Sequence, residues 1–245
     1  MDKKWIVIPD VHGRKFWRDA VKDKETERII FLGDYLDPYE EEGITPEDAY
    51  NELIDIIAFK KEHSENVTLL LGNHDLGYLD PGICTVRQDL FNYDRNRNLF
   101  NDNLTLFDII ADERFGHEKI LFSHAGLRKT WIKHNDWLFD VNNFKPDDIN
   151  VLFHDDMQRE NLYISLSDTS IYRGGFDDSG SAVWTDIEEF IYNNDELPGY
   201  IQIFGHTLHT GGAWVIDKHL WCLDCGSGFK VIPSRDKTSV EIKAL

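Results

Sequence analysis

The sequence predicts an α/β fold. Three observations predict it: short β-branched apolar runs recur along the chain, a well-signalled helix separates two of the first three, and later runs are split by turn residues as in hairpins. No repeat or Pro/Gly/Ser-rich linker marks a boundary, so residues 1–245 are expected to form a single domain.

Residues 5–9 form the first run and end at Asp10-Val11-His12-Gly13. Residues 14–24 read as a helix. Residues 28–32 are a second buried strand, ending at Gly33-Asp34. Thr45-Pro46-Glu47-Asp48 is a helix start, with an N-capping threonine, a proline at the first helical position and an acid three residues after the cap. That helix should reach about residue 62, with Ala49, Leu53, Ile56 and Ile57 on one face. Strands three, four and five are expected at 67–71, 119–122 and 200–204. Residues 213–216 and 220–223 read as a hairpin, and 229–232 and 238–243 as two more strands. The polar stretches 80–117 and 127–195 read as helical or irregular excursions that form a rim.

With a hydrophobic fraction of 41% and a charged fraction of 29%, the chain reads as a soluble globular protein. The net charge of −19 argues against nucleic acid and anionic membrane as partners, and no run of four Lys or Arg offsets it. The apolar stretch 5–8 is too short for a signal peptide, and no segment is long enough to span a bilayer, so a cytoplasmic location is expected. Three cysteines, Cys84, Cys222 and Cys225, give no disulfide framework, and the lone C-x-x-C lacks the second pair of a zinc site. Core or turn cysteines are the simpler reading.

The chemistry lies at the strand ends. Strand one ends in Asp10-Val11-His12, strand two in Gly33-Asp34-Tyr35-Leu36-Asp37 and strand three in Gly72-Asn73-His74-Asp75. Strand four ends in His124-Ala125-Gly126 and strand five in Gly205-His206-Thr207. Ligands of open α/β sheets bind at the carboxyl ends of strands, so these loops can converge. Each motif alone is explained as well by a turn or a satisfied histidine; five strand ends of the same chemistry are not. Carboxylate, imidazole and amide oxygen together suit a hard or borderline divalent metal.

The order D-x-H, G-D-x-x-D, G-N-H-[DE], H-[AG]-G, G-H-x resembles the calcineurin-like metallophosphoesterase superfamily. It is most similar to the branch of serine/threonine protein phosphatases, related bacterial and phage phosphatases, and diadenosine tetraphosphatase. The resemblance runs from residue 5 to about 228. It implies two packed mixed β-sheets flanked by helices and two divalent ions, manganese foremost with iron or zinc as alternatives. Asp10 and His12 would bind one ion, Asp34 would bridge both, and Asn73, His124 and His206 would bind the other. His74 would be the general acid and Asp37 the carboxylate that orients it. The substrate implied is a phosphomonoester, on a protein or a small molecule, attacked by a water activated between the ions. A dinucleoside polyphosphate or phosphodiester is the alternative, and a non-catalytic protein-binding scaffold a remote one.

The match departs most plainly after the second aspartate. The branch has arginine there, where this chain has Pro38. Arg14, just after the first motif, and Arg173, in Tyr172-Arg173-Gly174-Gly175, are the candidates to bind substrate phosphate. His209 is one residue out of register for a G-H-x-H ligand and reads as a rim or structural histidine. Trp131, Trp137, Trp184 and Tyr172 could stack a base, and core packing explains them as well.

Overall fold

The apolar runs build two β-sheets that pack face to face. The computed structural model describes residues 4–24, 27–83 and 87–245; Cys84 lies outside them. In chain order the described elements are β1 (Trp5–Ile8), α1 (Phe16–Val21), β2 (Arg28–Phe31), α2 (Pro46–Glu62), β3 (Val67–Leu70), α3 (Asn73–Leu79) and α4 (Tyr93–Asp102). Then come β4 (Phe107–Asp108), β5 (Ile110–Phe115), β6 (Glu118–Ser123), α5 (Lys129–His134), α6 (Asp148–His154), α7 (Arg159–Leu166) and α8 (Ile187–Asn193). The chain closes with β7 (Ile201–Phe204), β8 (Trp214–Asp217), β9 (Leu220–Cys222), β10 (Phe229–Pro233) and β11 (Val240–Ala244).

One sheet has the order β11-β10-β1-β2-β3-β4 and the other β5-β6-β7-β9-β8. Both are mixed. β1, β2 and β3 run parallel, whereas β10 joins β1 antiparallel. β6, β7 and β9 also run parallel, with β5 and β8 antiparallel at the two edges. The expected α/β class and the two-sheet arrangement are therefore both present.

Period-two alternation explains why the central runs are apolar throughout. Trp5 and Val7 face the second sheet, in a core with Leu70, Phe122, Ile201 and Ile203. Ile6 and Ile8 face the other way, onto Ala20 of α1 and Leu53 of α2. Ile187 and Phe190 of α8 cover the outer face of the second sheet at Phe204 and Leu220. α2 is capped as predicted: the Thr45 hydroxyl accepts from the Asp48 amide, and the Asp48 carboxylate accepts from the Thr45 amide.

The stretch 80–117 contains β4 and β5 as well as α4, which the sequence reading did not resolve. β5 is an edge strand with Asp112, Glu113 and Arg114 in its middle, the charge that protects a sheet edge and hides its apolar signal. The stretch 127–195 is helical, as expected, and carries α5 to α8. No helix among the described residues is long and apolar enough to cross a membrane.

Candidate metal centre

Parallel strands put their carboxyl ends on one edge, and here the motif loops of both sheets meet there. The loops are tightly wound. His12, Asp34, Asp37 and His206 all have positive φ, at 44°, 53°, 57° and 65°. Non-glycine residues in that region each cost about 1–3 kcal/mol, and such strain gathers where side-chain aim matters more than stability. Two glycines allow carboxylates to come close: a Cβ on Gly72 would stand 2.1 Å from Asp34 Oδ1, and one on Gly205 would stand 2.1 Å from Asp10 Oδ1.

Backbone bonds fix the side chains. The His12 Nδ1–H donates to Leu36 O at 2.7 Å, and the His124 Nδ1–H donates to Leu32 O at 2.9 Å. In the neutral imidazole each Nε2 then presents a lone pair. Asp34 Oδ1 accepts the His74 amide at 3.0 Å, which leaves Oδ2 free to face the site. Asp34 Oδ2 lies 3.5 Å from His12 Nε2 and 3.5 Å from His124 Nε2. On the far side, His124 Nε2 is 3.0 Å from Asn73 Oδ1 and 3.1 Å from His206 Nδ1. Asp10 accepts the His206 amide at 3.0 Å.

The six residues expected as ligands are thus brought together. The acceptor atoms of His12, Asp34, Asn73, His124 and His206 face one another, an arrangement that repels unless a cation stands among them. His206 Nε2 is buried with no partner among the described residues. Burial pushes the His12 imidazole down to about 3, against the pull of Asp34, and burial with the nearby Arg173 holds His206 well below its usual value. Asp34 stays below the usual carboxylate range, because the imidazoles around it outweigh its burial. Burial and the charge of Asp34 raise Asp10, and burial and the charge of Asp10 push Asp224 up to about 9. A neutral imidazole set beside crowded buried carboxylates fits divalent metal ions. Two clusters could hold them: His12, Asp34 and His74; and Asp34, His124 and His206. Asp34 belongs to both.

His74 and Asp37 meet as the sequence predicted. His74 Nδ1 is 2.7 Å from Asp37 Oδ2, which leaves the His74 Nε2 to face the cleft. Asp37 Oδ1 accepts from the Tyr78 hydroxyl at 2.5 Å and from the Asp89 amide at 3.1 Å. Asp75 supports the second motif from beneath: its carboxylate accepts the amides of Asp34, Tyr35 and Gly72 at 2.7, 3.0 and 2.9 Å.

A cleft of about 700 Å³ opens over these groups, with Arg173, Phe176 and Trp184 on its wall. A neighbouring groove of about 760 Å³, bounded by Pro81, Phe91 and Arg95, has no imidazole in its lining. The Arg173 guanidinium pairs with Asp186 at 2.7 Å and donates to Thr207 Oγ1 at 2.6 Å. Arg14 is turned elsewhere. Its Nε and Nη2 donate to Glu42 at 2.8 and 2.7 Å, and its Nη1 donates to Asp10 O at 3.3 Å. Sequence reasoning missed Arg87, which lines the cleft beside His12 and His74.

Of the aromatics, Trp131 is core, Trp184 packs its edge against His206, and Tyr172 stacks on Tyr192 at the surface. His209 bonds Cys222 O, away from the metal clusters. Cys222 is buried and its thiol is directed at Gly205 O, and both Cys222 and Cys225 are free thiols.

The sequence profile of calcineurin-like phosphoesterases matches residues 4–209. The chain belongs to the calcineurin-like phosphoesterase family. Phosphoester hydrolysis with divalent metals is the chemistry of this family, and the paired clusters are donor sets that suit it. No curated protein matches the chain. Among solved structures, this calcineurin-like phosphoesterase is similar to a cold-active protein tyrosine phosphatase, with a TM-score of 0.61 and 16% identity over 100% of this chain and 79% of that one. It is also similar to a protein serine/threonine phosphatase from Saccharomyces cerevisiae, with a TM-score of 0.56 and 16% identity over 100% and 80% of the two chains. At such identities the likeness concerns the fold.

Proposed function

We propose that this protein is a phosphomonoesterase that works with two divalent ions, manganese foremost, shared by Asp34. The observation that carries the reading is the position of Asp34 Oδ2, equally 3.5 Å from His12 Nε2 and His124 Nε2. His12 with Asp10 would hold one ion, and Asn73, His124 and His206 the other. When bound, such a pair supplies positive charge to the phosphoryl oxygens and makes a water acidic enough to attack near neutral pH.

The chain's own residues do the rest. His74 gives a proton to the leaving oxygen from Nε2. Asp37 fixes its tautomer by accepting from Nδ1–H, and the Tyr78 hydroxyl and Asp89 amide keep that carboxylate in place. Arg173, anchored by Asp186 and Thr207, offers a fork to the phosphoryl oxygens. Arg14 would join only on release from Glu42. The acidic surface, at net charge −19, supports a substrate recognised within the cleft rather than along a nucleic-acid backbone.

The test is turnover of an aryl phosphomonoester and of the matching diester with added Mn²⁺. Mn-dependent hydrolysis of the monoester is expected. Hydrolysis of the diester alone would replace the substrate class. Hydrolysis of neither would overturn the reading.

A further inference from the structure

Pro38 leaves the loop after Asp37 without a guanidinium, yet the cleft contains one besides Arg173. Arg87 reaches it from a distant stretch of chain. Its Cζ lies 3.6 Å from the centre of the Tyr39 ring, directly after Pro38. One Nη donates to the backbone carbonyl of Asp37. The other stands 3.4 Å from His12 Nε2 and 3.5 Å from His74 Nε2, two imidazoles that line the cleft.

Arg87 differs from Arg14 and Arg173 in its partners. Arg14 has Glu42, and Arg173 has Asp186. Among the described residues, Arg87 makes no ion pair within 4.0 Å. A partly buried guanidinium with five N–H donors is thus held by one ring and one carbonyl, with the rest of its fork turned toward the site. Ring and carbonyl orient the group without neutralising it. A cation kept this way in a cleft binds anions, and a planar fork matches two oxygens of a phosphoryl group. An anion entering the cleft offers its Nη a stronger acceptor than an imidazole nitrogen does.

We propose that Arg87, seated on Tyr39, is a phosphate-binding residue of this site and forms a two-guanidinium clamp with Arg173. The inference rests on the phosphomonoester reading and deepens it. A dianionic phosphomonoester has one more unesterified oxygen than a diester, and that oxygen gives the second fork its partner.

The experiment measures inorganic phosphate binding by calorimetry and aryl phosphomonoester kinetics, both on Mn-loaded protein. Wild type is compared with Arg87→Ala, Arg87→Lys and Tyr39→Leu. Arg87→Ala should weaken phosphate binding and raise KM by roughly tenfold or more, with bound manganese unchanged. Arg87→Lys should restore only part of this, since a point charge has no fork. Tyr39→Leu should shift both quantities in the same direction by less. If wild type binds phosphate and Arg87→Ala binds it equally well, the clamp is overturned and the phosphomonoesterase reading stands. If wild type neither binds phosphate nor turns over the ester, both fall.

Discussion

His74 Nδ1 and Asp37 Oδ2 are 2.7 Å apart, and both side chains are buried. Asp37 in turn accepts from Tyr78 and Asp89, so its carboxylate is fixed before any substrate arrives. In the proposed reaction this pair is the proton donor to the leaving oxygen.

Asp37→Asn should lower kcat by about 10²- to 10⁴-fold, with KM and bound metal little changed. The loss should depend on the leaving group. An alkyl phosphate, whose alkoxide needs a proton, should suffer more than a nitrophenyl phosphate, whose phenolate leaves unaided. Equal losses for both esters would assign the pair to something other than proton donation.

Asp75 takes three backbone amides at the base of the Asp34 loop. Asp75→Ala leaves them buried without an acceptor, at about 1–3 kcal/mol for each group. A destabilisation of roughly 3 kcal/mol or more is expected in urea denaturation of the metal-free protein. A change below about 1 kcal/mol would mean that water replaces the carboxylate.

Arg128 and Glu189 form an ion pair that is almost wholly buried; Ser170 Oγ and the Gly180 amide donate to Glu189 as well. The pair ties the start of α8 to the start of α5, and Ser170 and Gly180 fasten the loop that carries Arg173 to it. Arg128→Met strands the Glu189 charge and should cost about 3–5 kcal/mol. Adding Glu189→Leu should recover part of that loss, as a thermal melt of the double variant would reveal.

Asp224 gives a pH signature. Burial and the charge of Asp10 raise its carboxyl to about 9 in the folded chain, against about 3.9 when unfolded. Between those values the folded chain keeps a proton that the unfolded chain releases. Stability from this group is full below pH ~4 and is lost as pH rises toward 9. Asp224→Asn removes the titration. In chelated protein its stability relative to wild type should rise with pH across this window, by at most about 1.4 kcal/mol per unit. Parallel curves would show that Asp224 ionises normally.

The central strands and their motifs were legible because buried parallel strands are apolar throughout and each ends in a short motif that holds a carboxylate or an imidazole. Thr45 and Asp48 announced α2 through a local capping rule. β5 was not legible, since an edge strand with Asp112, Glu113 and Arg114 looks like a polar loop. Arg87 was hidden for a different reason. It stands in no motif, and only the folded chain brings it to Tyr39. Arg14 stood next to a motif, and Glu42 proved to be its partner across a turn of chain that local sequence does not predict.

The most direct test of the account is a calorimetric titration of the chelated protein with Mn²⁺, for wild type and for Asp34→Asn, a substitution that preserves side-chain shape and tolerates the positive φ of 53°. Two ions per chain in wild type, with Asp34→Asn weakening both and abolishing monoester turnover, is the predicted result. One ion per chain, or two ions bound as tightly without the Asp34 carboxylate, would contradict a shared site.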